Sequence, residues 1–82
     1  MDNYEAQSGR IVQAVKNLCP NCVVIFDSGR APNWVRFLIK DGSIMLTKAY
    51  PEFAVSEVAN WSDEKLRQKL EVVTGGLARK AA

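Results

Sequence analysis

Between Tyr4 and Leu18 the apolar residues Ile11, Ala14, Val15 and Leu18 return at the i, i+3, i+4, i+7 spacing that lines one side of a helix, while Arg10, Gln13, Lys16 and Asn17 stay polar. The pattern predicts a first helix. Two starts compete, an early cap at Asp2 or Asn3 and a later one at Ser8 before Gly9. Pro20 and Asn21 end it, because proline lacks an amide donor and biases the preceding residue out of helical geometry. Cys22 to Phe26 is a short, largely β-branched apolar run ahead of a loop-like stretch, Asp27 to Asn33, and reads as the first strand. Trp34–Lys40 and Ser43–Tyr50 flank Asp41-Gly42, the two-residue signal for a type I′ hairpin whose central positions both need positive φ.

After Tyr50-Pro51 the period becomes helical. Glu52 to Asn60 holds one or two turns, with Val55, Val58 and Ala59 to one side. Ser62 reads as an N-cap, Asp63 and Glu64 suit the positive end of the helix dipole, and Trp61 with Leu66 fits a hydrophobic staple. This last helix is expected to reach Thr74, to bury Leu66, Leu70 and Val73, and to end at Gly75-Gly76, with residues 77–82 as a frayed tail. The economical assembly is one α+β domain over residues 1–76: a three-stranded antiparallel sheet with the helices on one face.

A two-residue hairpin loop sets Ile39 against Ile44, Leu38 against Met45, Phe37 against Leu46, Arg36 against Thr47 and Trp34 against Ala49. One face then carries Val35, Phe37, Ile39, Ile44 and Leu46, a bed for the helices. The other carries Trp34, Arg36, Leu38, Lys40, Ser43, Met45, Thr47 and Ala49, and no helix is assigned to cover it. Trp34, Leu38 and Met45 would form an exposed apolar patch among cations, with Arg30 in the adjoining loop. Trp and Arg are enriched at energetically dominant interface positions and Met adapts to irregular partners, so a partner protein or a second copy of the chain is the leading expectation. The competing one is nucleic acid, with bases stacked on Trp34 and phosphates tracked by Arg36, Lys40 and Arg30.

Composition narrows these readings. At 82 residues, 48% hydrophobic and 24% charged, the chain has material for one small core. Its net charge of +2 and pI near 8.7 fall short of the basic footprint that favours nucleic acid by default. There is no histidine, which removes the commonest general base and every imidazole metal site. No apolar stretch approaches a membrane span and the N-terminus lacks the pattern of a secretory signal, so a cytoplasmic location without membrane contact is expected. Asp27, Arg30, Lys48 and Tyr50 are the candidates for acid–base work, but no spacing sets their mutual geometry, and no cofactor is implied.

Cys19-Pro20-Asn21-Cys22 is the one motif with chemical content. It follows a helix, where the dipole opposes thiolate formation. A structural zinc needs four ligands, so Cys19 and Cys22 would serve only if two copies pooled them; idle cysteines, a labile disulfide and redox chemistry are the other readings. The predicted order of helix, three strands and helix resembles the double-stranded RNA-binding domain in topology, across most of the chain. That family carries a phosphate-contacting lysine cluster at the start of its last helix. Here those positions are Asp63 and Glu64, so the resemblance implies no site residue.

Overall fold

The computed structural model describes residues 2–73. Helix α1 (Asp2–Leu18) leads into β1 (Cys22–Asp27), then through a 3-10 turn at Ser28–Arg30 and a cis Ala31–Pro32 peptide into β2 (Trp34–Asp41). Two short strands follow, β3 (Thr47–Ala49) and β4 (Glu52–Ala54), and then α2 (Val55–Asn60) and α3 (Asp63–Val73). The fold is α+β, as the sequence pattern predicts, with an antiparallel sheet and helices after it. The sheet has four strands rather than three. β2 is central, β1 pairs along one side, and β3 and β4 share the other.

The core lies between the helices and one face of the sheet. Ile11 and Val15 of α1, Val55 and Val58 of α2, and Leu66 and Leu70 of α3 meet Val35, Phe37 and Ile39 of β2, which are fully buried. Helix α1 runs through Ser8 and Gly9 without a break. Ser62 caps α3, its Oγ accepting from the Lys65 amide at 3.1 Å. Val73 is exposed rather than buried. The expected helix end at Thr74, the Gly75-Gly76 cap and the tail at 77–82 lie outside the described residues.

Arg10 joins the three helices. Its guanidinium donates to the carbonyls of Val58 at 2.9 Å and Trp61 at 2.6 Å, to Gln7 Oε1 at 2.7 Å and to Asp63 Oδ1 at 2.9 and 3.1 Å. It thereby supplies a donor to the Trp61 carbonyl just past α2 and a second donor to the Val58 carbonyl, which also accepts from the Trp61 amide.

The hairpin departs from the expected one. Asp41 and Gly42 do not adopt the type I′ conformation; the only non-glycine with positive φ among the described residues is Met45, at 57°. The Asp41 carboxylate accepts from the amides of Ser43 and Ile44, its own amide donates to Leu46 O, and Met45 N donates to Asp41 O. These bonds close a wider loop over residues 41–46. Asn21 braces it: its carbonyl accepts from Gly42 N at 2.9 Å and its side-chain amide donates to Ser43 Oγ.

The return strand consequently pairs four or five residues later than the two-residue turn implies. Ile39 faces Ala49, Lys40 faces Thr47 across a bulge, and Arg36, Val35 and Trp34 face Glu52, Phe53 and Ala54. Beyond the bulge the displacement is odd and turns those side chains over, whereas Thr47, displaced by four, stays on the outer face. Ile44 and Leu46, expected in the core, are 66% and 60% exposed on the loop, and Ala49 and Phe53 pack against the core in their place. Pro51 divides β3 from β4, its carbonyl accepting from Phe37 N.

Candidate interaction surface

The sheet face turned away from the helices is a register of facing pairs. Asp27 of β1 stands against Arg36 of β2 and Arg36 against Glu52 of β4; Ile25 stands against Leu38; Val23 stands against Lys40 and Lys40 against Thr47. Trp34 lies at the start of β2 against Ala54. Alternation places Val24 and Phe26 toward the core and leaves Val23 and Ile25 outward, 38% and 40% exposed, next to a partly buried Leu38.

A charged cluster closes one end of this face. Tyr50 Oη donates to Asp27 Oδ2 at 2.7 Å, and Arg36 reaches the same oxygen at 3.0 and 3.2 Å while lying over the Tyr50 ring at 5.6 Å. The Gly29 amide donates to Asp27 Oδ1 at 2.9 Å, fixing the turn after β1. The Tyr50 hydrogen bond above all, then the Gly29 amide and the Arg36 charge, hold the Asp27 carboxyl below its ordinary 3.8. The same bond raises the Tyr50 phenol above its ordinary 10.0. Both shifts lead away from neutrality, so near pH 7 the carboxylate stays charged and the phenol keeps its proton. The cluster clamps β1 to β2 and to the segment between β3 and β4.

Arg30 is occupied as well. Its Nε is 3.2 Å from Glu52 Oε2 and its guanidinium lies 5.2 Å from the centre of the Trp34 ring. A cleft of about 410 Å³ adjoins Trp34, bounded by Asn3 and Tyr4 of α1, Pro32, Asn33 and the start of α2.

Of the residues singled out in the sequence, Trp34, Arg36, Leu38 and Lys40 share the outer face, and Arg30 joins them from the loop. Met45 does not. It is 49% exposed on the 41–46 loop rather than on the sheet, because the register it was assigned from is displaced. Ala49, also placed on this face by that register, belongs to the core side. Val23, Ile25 and the Asp27–Tyr50 contact were missed. A continuous apolar run such as Cys22–Phe26 shows no alternation, so only pairing with β2 reveals which of its side chains face out.

Cys19 and Cys22 are bonded to one another, their Cα atoms 5.4 Å apart, so neither presents a free thiol. Among the described residues no group of three or more His, Cys, Asp or Glu side chains could hold a metal ion, and no helix is long and apolar enough to cross a membrane. Comparison with protein-family models, with curated proteins and with solved structures finds no match to this chain.

Proposed function

We propose that the protein is a non-catalytic interaction module that docks a partner protein on the outer face of its sheet. The observation that carries this reading is the apolar group Val23, Ile25 and Leu38 on a face that no described helix covers, beside the indole of Trp34. Two of the three cations named for this face are engaged within the chain, Arg36 by Asp27 and Arg30 by Glu52 and the Trp34 ring, which leaves Lys40. That arrangement favours a partner with apolar side chains over a phosphate backbone, which needs cations free to replace released counterions.

Leu38→Glu tests the reading. The variant is expected to melt within a few degrees of the wild type and to lose most of the native-state fluorescence of an apolar dye such as anilinonaphthalene sulfonate. A fall of more than about 10 °C in Tm would place Leu38 in the core and overturn the assignment. Fluorescence anisotropy with a labelled oligouridylate at low salt supplies the second arm. Steeply salt-dependent binding lost in Arg36→Glu/Lys40→Glu would replace the protein partner with a nucleic acid.

A further inference from the structure

Among the described residues the outer edge of β1 is left unpaired. Gly42 N donates to Asn21 O, and the β1–β2 register continues from there, so Val23, Ile25 and Asp27 turn their backbone groups toward β2 while Val24 and Phe26 turn theirs outward. Nothing in the described residues pairs with that side of the strand. The Cys22 amide is already used, donating to Cys19 O at 3.0 Å. Toward the helices, Val24 and Phe26 remain partly exposed although they pack against the core, whereas Val35, Phe37 and Ile39 of the neighbouring strand are fully buried. Toward the outer face, Val23 and Ile25 stand open. The edge carries no proline, no lysine and no bulge, the usual protections against pairing.

We infer that the occupant of this edge is the β1 strand of a second copy, paired antiparallel about a two-fold axis at Ile25. The two residues with unused backbone groups, Val24 and Phe26, lie symmetrically about Ile25, so this register matches each Val24 with the other copy's Phe26 and forms roughly four hydrogen bonds. A register centred on Val24 would leave the Phe26 carbonyl of each copy without a donor, because the Cys22 amide it would need is already committed. Ile25 then meets the Ile25 of the second copy in a non-hydrogen-bonded pair, about 4.5 Å between Cα atoms, where side chains approach closest.

Charge agrees with this register. The central row across the joined sheet reads Leu38, Ile25, Ile25, Leu38. The rows beside it read Arg36, Asp27, Val23, Lys40, the last two from the second copy, so each Asp27 stands between Arg36 and an uncharged Val23 and no like charges face each other. Val24 and Phe26 of both copies meet on the helical side and complete the core at its open margin. The proposal rests on the reading of this side of the molecule as an interaction surface. It adds that pairing leaves the outer face free and doubles its apolar row.

Sedimentation equilibrium of the full chain provides the test, comparing wild type, Ile25→Lys, Ile25→Glu and an equimolar mixture of the two variants. The wild type is expected to be a dimer at about 100 µM. Each variant alone is expected to associate at least about 100-fold more weakly because like charges meet at the axis, and the mixture to recover a heterodimer through the opposite pair. A wild type that stays monomeric, or an Ile25→Lys chain that still dimerises, overturns the proposal. A measurement without substitution backs this up: in a mixture of ¹³C-labelled and unlabelled wild type, isotope-filtered NMR should show contacts between Ile25 methyl groups of different copies. Their absence from a sample that sediments as a dimer contradicts the register. A monomer whose dye binding still responds to Leu38→Glu leaves the proposed function intact and removes only the self-pairing.

Discussion

Along one margin of the sheet, β3 and β4 are three residues each, separated by Pro51, bulged opposite Lys40, and flanked by the charges of Lys48 and Glu52. Along the other, β1 runs for six residues with no charge before Asp27 and with Val24 and Phe26 offering their backbone groups outward. Both margins belong to the same small domain, so the difference is not a matter of chain length or stability. Breaks, bulges and charges are how a sheet avoids pairing with other chains, and this molecule uses them on one side alone. A margin protected by three devices is built to stay free; a margin with none is available for a strand.

The comparison sharpens when the centre of the sheet is set against its bare margin. Phe37→Ala should cost about 3–5 kcal/mol, the range for emptying a fully buried aromatic site. Phe26→Ala, on a partly exposed residue whose ring is 5.7 Å from that of Phe37, should cost about half as much in the dilute monomer. Chemical denaturation at low concentration measures both. Equal losses would mean that β1 is as enclosed as β2, and the asymmetry of the margins would disappear.

Next in size is the anchor that holds the start of β1. A Cβ on Gly42 would run into the carbonyl oxygen of Asn21, the atom that accepts the Gly42 amide, so Gly42→Ala should destabilise by about 1–3 kcal/mol. Weaker protection of β1 amides should accompany it while the amides of β3 and β4 hold theirs. An equal loss at both margins would show that the 41–46 loop serves the whole sheet and not β1 in particular.

The other end of β1 responds to pH. Asp27 binds its proton more weakly in the folded chain than in the unfolded one, so its contribution is complete above about pH 4 and is lost as pH falls through its lowered folded value. Tyr50 holds its proton more tightly when folded. Its contribution is complete below about pH 10 and is lost as pH rises through the raised value. Stability measured against pH should decline at both extremes, with Asp27→Asn and Tyr50→Phe each flattening both limbs. An acid limb unchanged in Asp27→Asn would contradict the clamp. The smallest effect belongs to a site remote from both margins: no atom lies within 4 Å of a Cβ built on Gly9, so Gly9→Ala should stabilise α1 by about 0.5–1 kcal/mol. Association should be unaffected, and a change there would tie the first helix to the interface.

The elements were legible in the sequence wherever period or cap chemistry was strong, as in α1, β1, β2 and the Ser62 start of α3. Their register was not. Asp41-Gly42 carries a turn signal, but the competing hydrogen bonds of the Asp41 carboxylate and the brace from Asn21, about twenty residues away, decide the outcome. Nothing local announces them. Arg10 illustrates the same limit: in the sequence it is one cation among many on a polar helical side, and only the fold brings the end of α2 to it. The outer face was half legible because β2 alternates and so assigns its own side chains, whereas the partners that complete the surface, Val23, Ile25 and Tyr50, depend on tertiary pairing.

Amide hydrogen exchange across β1, followed at concentrations low enough to keep the chain monomeric, tests most directly that this margin is open. Val24 and Phe26, which find no acceptor among the described residues, should exchange at least about tenfold faster than Ile25 and Asp27, whose amides belong to the β1–β2 ladder. Uniform protection from residue 23 to residue 27 would show that something already covers the strand, contradicting both the open margin and the pairing built on it.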